Sequence, residues 1–318
     1  MTKVKSYLSL IKFSHTIFAM PFALIGFALG FLNVDKRIHI LTGWRRRILD
    51  QHEDYSEIIK YRLPGTYYEV AMRFLFVIFC MIFARSAAMA FNRYLDRSFD
   101  ANNPRTAVRE IPSGIIKANN ALVFTIVSSL LFVVCSFFIN RLCFYLSPVA
   151  LLVVLGYSYT KRFTPLCHLI LGLGLSLAPI GAYLAVTGQF DLLPVMFSFS
   201  VLFWVSGFDI IYALQDEEFD KTNKLYSIPA WLGKPKALRV SELLHVFSAA
   251  CVLFAGWLGN FGWLYWIGAA MFIGMLVYQH SIVKPNDLKR VNIAFMTANG
   301  IASVVFAIFV IADLFINN

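Results

Sequence analysis

Charge is scarce in this sequence. Of its 318 residues 14% are Asp, Glu, Lys or Arg and 59% are hydrophobic, whereas a soluble domain carries about a quarter charged residues. A chain with so few ions cannot cover a water-facing surface, which excludes a soluble catalytic domain and leaves an integral membrane protein. Cysteine is scarce as well. Five cysteines with no CxxC pair exclude a secreted disulfide framework, and Cys80, Cys135, Cys143, Cys167 and Cys251 read as packing residues. The mixed segment Met1 to Lys12 has no signal-peptide pattern, and the first apolar run is long enough to be a span. Acid is the scarcer sign, 18 carboxylates against 28 Lys and Arg, for a formal net charge of +10. In a chain of mean hydropathy +0.68 that excess reads as basic loops facing membrane lipid, with no nucleic acid as a partner.

Long apolar runs are what the sequence has instead. A hydrocarbon core of about 30 Å needs roughly 20 apolar residues per helix. Nine stretches meet that length, at about 16–33, 70–92, 120–139, 142–160, 165–187, 191–212, 242–259, 261–282 and 293–316. They lack the period-2 alternation of a β-barrel, and a backbone that must satisfy its own hydrogen bonds in lipid leaves helices. The expected fold is an all-α integral membrane bundle of nine transmembrane helices. It forms one domain over 1–318 with a polar insertion at about 34–69. Basic residues gather in the N-terminal segment (Lys3, Lys5, Lys12) and after spans 2, 4, 6 and 8, while the links between spans 5 and 6 and between spans 7 and 8 carry none. The N-terminus is therefore expected in the cytoplasm, in a multi-pass protein of the inner (cytoplasmic) membrane. The 34–69 insertion, with Lys36, Arg37, Arg45, Arg46, Arg47, Lys60 and Arg62, departs from that rule.

The carboxylates are few enough to place one by one. Outside the insertion, eight of twelve fall in two clusters: Asp96, Asp100 and Glu110, then Asp209, Asp216, Glu217, Glu218 and Asp220. Both clusters sit at the same side of the bundle, after spans 2 and 6. Asn92, Asp96 and Asp100 follow at i, i+4 and i+8 on one helix face, and Asp209, Tyr212, Asp216 and Asp220 fall close to one face. Two oxygen-rich faces on one membrane side suit a hard cation such as Mg²⁺ held between carboxylates and phosphate. The plainer alternative is a pair of solvated helix ends whose acids pair with Arg97, Arg105 and Lys221.

These residues resemble the UbiA superfamily of membrane prenyltransferases. The family pattern N-x-x-x-D-x-x-x-D is met by Asn92, Asp96 and Asp100, and D-x-x-Y-A-x-x-D-x-x-x-D by Asp209, Tyr212, Ala213, Asp216 and Asp220. Its Y-x-x-x-K element is met by Tyr157 and Lys161. The likeness is strongest to the 4-hydroxybenzoate polyprenyltransferase branch, which includes the enzyme thought to prenylate dihydroxynaphthoate in the futalosine route. Two features depart from it: Arg93 stands where many members have Asp, and the 34–69 insertion is longer than the usual link.

The resemblance implies Mg²⁺-dependent transfer of a polyprenyl group from an allylic prenyl diphosphate to an aromatic acid, in ubiquinone or menaquinone biosynthesis. It implies Mg²⁺ on Asp96, Asp100, Asp216 and Asp220, with Arg105, Arg109 and Lys161 on phosphate. Tyr157 and Tyr212 would contact phosphate or face an allylic cation. Asn92 would fix a metal-bound water or a phosphate oxygen, and closure of the loops around Pro104–Gly114 and Asp220–Lys236 would exclude water. Arg85, two turns below Asn92 on the same face, either pairs with a carboxylate such as Asp209 or binds the carboxylate of the acceptor. His15, His280 and Asn299 read as polar groups at helix contacts, and Gly172 and Gly174 as points of close helix approach. A multi-span transporter is the alternative from another class, and haem or a chlorophyll precursor the alternative acceptor.

Overall fold

The computed structural model describes residues 3–11, 18–33 and 67–317. Within them the chain is helical, without a strand beyond one isolated bridge between Lys284 and Asp287. A short helix α1 (Lys3–Leu10) precedes α2 (Met20–Asn33). Then come α3 (Tyr67–Asn102), α4 (Ala118–Ile139), α5 (Arg141–Thr160), α6 (Cys167–Thr187) and α7 (Leu192–Ala213). Two short helices, α8 (Glu217–Thr222) and α9 (Ile228–Leu232), lead into α10 (Lys234–Leu258), α11 (Trp263–Ile282) and a last helix α12 over 293–316. A helix occupies each of the nine stretches expected to span. Among the described residues seven helical segments are long and apolar enough to cross a membrane; α2, with 14 residues, is shorter, and α11 is not one of the seven. The rest of the 34–69 insertion before Tyr67 lies outside the described residues, as does His15.

Several boundaries differ from the sequence expectation, each for a local reason. The second span was expected to end near residue 92, but α3 continues to Asn102. No Gly or Pro interrupts residues 93–103, and the helix ends where Pro104 disfavours helical backbone in the residue before it. Arg93 and Arg97 are therefore helix residues, not loop residues. The seventh span begins at Lys234 instead of 242, because Gly233 (φ 76°) breaks the chain and Pro235 fits the first turn. Lys234, Lys236 and Arg239 consequently lie on α10, and the expected Asp220–Lys236 loop is mostly helical.

Side-chain caps fix the turns between helices. Asn140 accepts from Cys143 N (2.8 Å) at the start of α5 and donates to Leu184 O (2.8 Å) near the end of α6. Asp191 accepts from Leu193 N at the start of α7. Asp313 of α12 accepts from Gly262 N (2.8 Å) and Tyr265 N (3.2 Å), holding the start of α11.

The packing has two unequal halves. Phe22, Phe197, Trp204, Phe208, Tyr265, Phe272 and Phe306 form a fully enclosed aromatic core among α2, α7, α11 and α12. Asn299 sits at its edge, accepting from Trp204 Nε1 and Gln279 Nε2 (2.8 Å each) and donating to Phe295 O within a π-helical turn. His280 Nε2 meets His245 Nδ1 at 2.9 Å. His280 and Asn299 are polar helix contacts, as expected, and the five cysteines are free. Small residues bring helices together elsewhere: Gly172 lies so close to α7 that a Cβ would meet Leu202 O at 2.4 Å. Gly174 does not share that role. A Cβ there would meet Val154 at an ordinary 3.7 Å, and the residue instead borders a cavity.

Candidate active site

The long helix α3 delivers the first acidic motif beyond the apolar part of the bundle. Asp96 is 3% exposed and gathers two cations from the end of α5, with Lys161 Nζ at 2.8 Å and Arg162 Nη2 at 3.0 Å. Asn92 donates to the same carboxylate at 3.2 Å. Arg162 is fixed further by bonds to Ser158 O and Leu95 O, so it ties α5 to α3. One helical turn on, Asp100 is 6% exposed and accepts from Arg109 Nη1 at 2.6 Å. Its second oxygen, Oδ2, is buried with no hydrogen-bond partner; Arg93 Nη1 stands 3.9 Å away. Arg93 thus takes the buried position beside Asp100 that its sequence neighbourhood left unexplained.

The second motif is not one continuous face. α7 ends at Ala213 and a 3₁₀ turn, Leu214–Asp216, precedes α8. A 3₁₀ turn advances about 120° per residue against about 100° in an α-helix, so three residues rotate the downstream chain by about 60°. The four residues do not all share one partner. Asp216 is held by both arms of the Arg105 guanidinium, Nε (3.1 Å) and Nη2, and by Asn103 Nδ2 (3.4 Å). The Arg105 Nη1 donates to Tyr212 OH at 2.9 Å, and the Tyr212 ring stacks against Phe295 with centroids 4.3 Å apart. Burial pushes the Arg105 pKa down, but the Asp216 carboxylate and Tyr212 outweigh it and hold the guanidinium above its ordinary value. Asp220 accepts from Ser227 Oγ at 2.8 Å. Asp209 meets the start of α6, where His168 Nδ1 is 2.7 Å from its Oδ2.

The residues expected to touch phosphate therefore sit on the acids in this ligand-free arrangement: Lys161 on Asp96, Arg109 on Asp100, Arg105 on Asp216. Of the cations named as plain ion-pair partners, Arg105 and Lys221 do pair with acids of the second cluster, Asp216 and Glu217, whereas Arg97 donates to Tyr94 O. The loop after α3 is clamped on both sides, by Thr106 Oγ1 to Asp100 O and by Asn103 and Arg105 to Asp216. That clamp joins the two motifs into one polar site.

Beneath it an apolar cavity of about 380 Å³ runs between α3, α4, α5 and α6. Val77, Cys80, Phe132, Ile139, Val153 and Leu177 are among its walls. Arg85 and Tyr157 also line it, toward the ends of the α3 and α5 walls nearest Asn92 and Lys161. The Asp209 carboxylate meets His168 through Oδ2.

The donor set suits a hard cation. Among the described residues no three His, Cys, Asp or Glu side chains converge, but Mg²⁺ keeps several waters and takes one or two carboxylates plus phosphate oxygens. The buried, unbonded Asp100 Oδ2 is an acceptor of the required kind. Sequence reasoning did not single out Arg162, Asn103, Ser227 or His168. Adjacency to Lys161 is a signal for the first, and Ser227 lies seven residues after Asp220; Asn103 and His168 contact the second motif across long stretches of chain.

The sequence profile of the UbiA prenyltransferase family matches residues 66–301. A 4-hydroxybenzoate octaprenyltransferase of Tolumonas auensis is 30% identical over 223 residues, 70% of this chain and 78% of that protein. One from Paraburkholderia phymatum is 32% identical over 235 residues, 73% of this chain and 82% of that protein. Among solved structures, the apo form of a UbiA homologue from Aeropyrum pernix superposes with a TM-score of 0.71 at 24% identity, covering 95% of this chain and 98% of that one. A UbiA homologue from Archaeoglobus fulgidus bound to DMAPP and Mg²⁺ gives a TM-score of 0.71 at 17% identity, covering 98% and 99%.

Proposed function

The chain belongs to the UbiA prenyltransferase family, and from that premise we propose that it transfers a polyprenyl group from an allylic prenyl diphosphate to an aromatic acid of the 4-hydroxybenzoate or dihydroxynaphthoate type. The observation that carries this reading is the stacking of a cation-lined acidic site, joined across Arg105 and Asp216, on an apolar cavity with Arg85 and Tyr157 in its wall. The names of the relatives, 4-hydroxybenzoate octaprenyltransferases, support the acceptor class. As a membrane protein of several apolar helices, the chain is read as one domain of nine crossings with a polar insertion at 34–69, its N-terminus and acidic site on the cytoplasmic side of the inner membrane.

The reaction breaks the allylic C–O bond, releases pyrophosphate and joins the allylic carbon to the activated ring, which loses a proton. Asp96, Asp100, Asp216 and Asp220 would hold Mg²⁺, which when bound would supply Lewis-acid stabilisation of the leaving group. Arg105, Arg109 and Lys161 turn from the carboxylates to the diphosphate oxygens, with Arg105 and Arg109 able to bind two oxygens at once. Asn92 orients a phosphate oxygen or its bound water. Tyr157 and Tyr212 turn electron-rich rings or hydroxyls toward the cationic carbon and the phosphate. The clamped 103–117 loop and the α8–α9 segment keep water from the cation. The prenyl chain lies in the apolar cavity, and Arg85 takes the carboxylate of the acceptor. Purified protein with a radiolabelled prenyl diphosphate and a panel of aromatic acids tests the reading: product should form with a hydroxylated benzoate or naphthoate, and chelation should stop it. Transfer that survives exhaustive chelation would remove the metal from the scheme.

A further inference from the structure

His168 is a buried group that this chemistry leaves unused. It is the second residue of α6 and 3% exposed. Its Nδ1 lies 2.7 Å from Asp209 Oδ2, and its Nε2 lies 3.4 Å from the backbone nitrogen of Ile228. A backbone amide can only donate, so Nε2 is the acceptor and the ring proton sits on Nδ1, directed at Asp209. Ile228 opens α9, and Ser227 before it is the cap: Ser227 Oγ accepts from Ala230 N at 3.2 Å and donates to Asp220 Oδ2 at 2.8 Å. Two more bonds fasten the same stretch to the turn between α5 and α6. Tyr226 N donates to Lys161 O at 2.7 Å, and Cys167 Sγ to Tyr226 O at 3.5 Å. On the α7 side, Ser206 Oγ is 3.2 Å from His168 O. One imidazole therefore touches Asp209 directly and reaches Asp220 through Ile228 and Ser227.

We infer that His168 is a positioning residue for the second acidic motif: it donates to Asp209 and accepts from Ile228, and so holds α9 where Ser227 meets Asp220. The inference rests on the reading of Asp216 and Asp220 as the carboxylates that receive cation and diphosphate. Packing alone does not ask for this geometry, since a leucine would fill the space. It would, however, leave the Asp209 carboxylate and the Ile228 amide without their partner. Outer partners that orient ligating groups matter for binding without touching the ligand.

The test compares His168→Leu, His168→Gln and Ser227→Ala in the full chain. Mn²⁺ binding in the presence of inorganic pyrophosphate is read by EPR, and KM is measured separately for prenyl diphosphate and aromatic acid. Gln has one donor and one acceptor end and can keep both bonds. His168→Leu is expected to weaken Mn²⁺–pyrophosphate binding and raise the diphosphate KM, each by about tenfold or more, with the acid KM unchanged. His168→Gln should restore both, and Ser227→Ala should shift the same two quantities. A folded His168→Leu that binds Mn²⁺–pyrophosphate like the parent overturns the inference. So does a Gln variant as impaired as the Leu variant. If His168→Leu does not fold, an unchanged Ser227→Ala overturns it instead. A parent protein that binds no Mn²⁺–pyrophosphate overturns the reading of the carboxylates themselves, and that result is visible before any variant is made.

Discussion

Asp96 shows how the site is built residue by residue. One nearly enclosed carboxylate holds an ammonium, a guanidinium and an amide, drawn from α3 and from the end of α5. Each partner offsets part of the cost of keeping a charge out of water, and none of them would be stable there alone. Arg85 presents the same problem lower in the bundle, in the wall of the apolar cavity. A substrate carboxylate reaching it meets a guanidinium in a setting of little water, where losing one partner of a buried ion pair costs roughly 3–5 kcal/mol. Arg85→Met should therefore raise the KM for the aromatic acid by about two orders of magnitude, each factor of ten being about 1.4 kcal/mol, and leave the KM for prenyl diphosphate nearly unchanged. The opposite split in steady-state kinetics would assign Arg85 to the phosphate end. Of these residues, Asn92, Asp96 and Asp100 are legible in the sequence because four-residue spacing puts them on one helix face. His168 is not, since its partner lies 41 residues away and no period links them, and Arg162, 66 residues from its partner, is marked only by its adjacency to Lys161.

At the scale of elements, α3 is the decisive piece. Its 36 residues at about 1.5 Å each make a rod of about 54 Å, far longer than a hydrocarbon core of about 30 Å. The excess carries Asp96 and Asp100 into the polar zone on a rigid support. Helix α2 is placed by a different device. At Gly26 it lies so close to α6 that a Cβ would fall 2.0 Å from Pro179 O, an impossible contact with backbone that cannot step aside. Gly26→Ala should push the helices apart and cost about 1–3 kcal/mol, seen as a lower unfolding midpoint in detergent. Gly274→Ala, where a Cβ has nothing within 4 Å, is the matched substitution that should leave the midpoint in place. Apolar length made the spans legible, while the ends were not. The run of hydropathy stops near residue 92, but the backbone of α3 responds to Pro104. The 3₁₀ turn at Leu214–Asp216 has no sequence mark at all, and it decides which way Asp216 and Asp220 point.

Taken whole, the molecule is asymmetric along and across its axis. The aromatic core around Trp204 and Phe306 makes one side solid, and the side bounded by α3 to α6 encloses space. Along the axis, the acids and their cations lie at one end, and the Asn140 and Asp191 caps near Gly188 lie at the other. Cysteine-scanning in intact cells should label positions beside Asn103 and Lys224 from the cytoplasmic face, and positions beside Gly188 and Asn260 from outside. Labelling with the two pairs exchanged would reverse the orientation read from the Lys and Arg distribution.

The contact of Arg105 with Asp216 and Tyr212 also governs how two ligands enter. On the proposed reading, Mg²⁺ arriving alone would have to take Asp216 from Arg105 and would leave that guanidinium without its counter-charge. A diphosphate arriving alone must take Arg105 and then faces a bare carboxylate. Arriving together, each removes the obstacle of the other. Thermodynamic reciprocity then requires each ligand to raise the affinity of the other by the same factor, on the order of 5–150-fold for a coupling of about 1–3 kcal/mol. Calorimetric titration of Mg²⁺ with and without inorganic pyrophosphate, corrected for their association in buffer, should give that factor, and Arg105→Met should shrink it toward unity. On that reading the reactive apparatus would stay idle until both halves of the substrate complex were present, which would spare the prenyl donor from hydrolysis in a half-filled site.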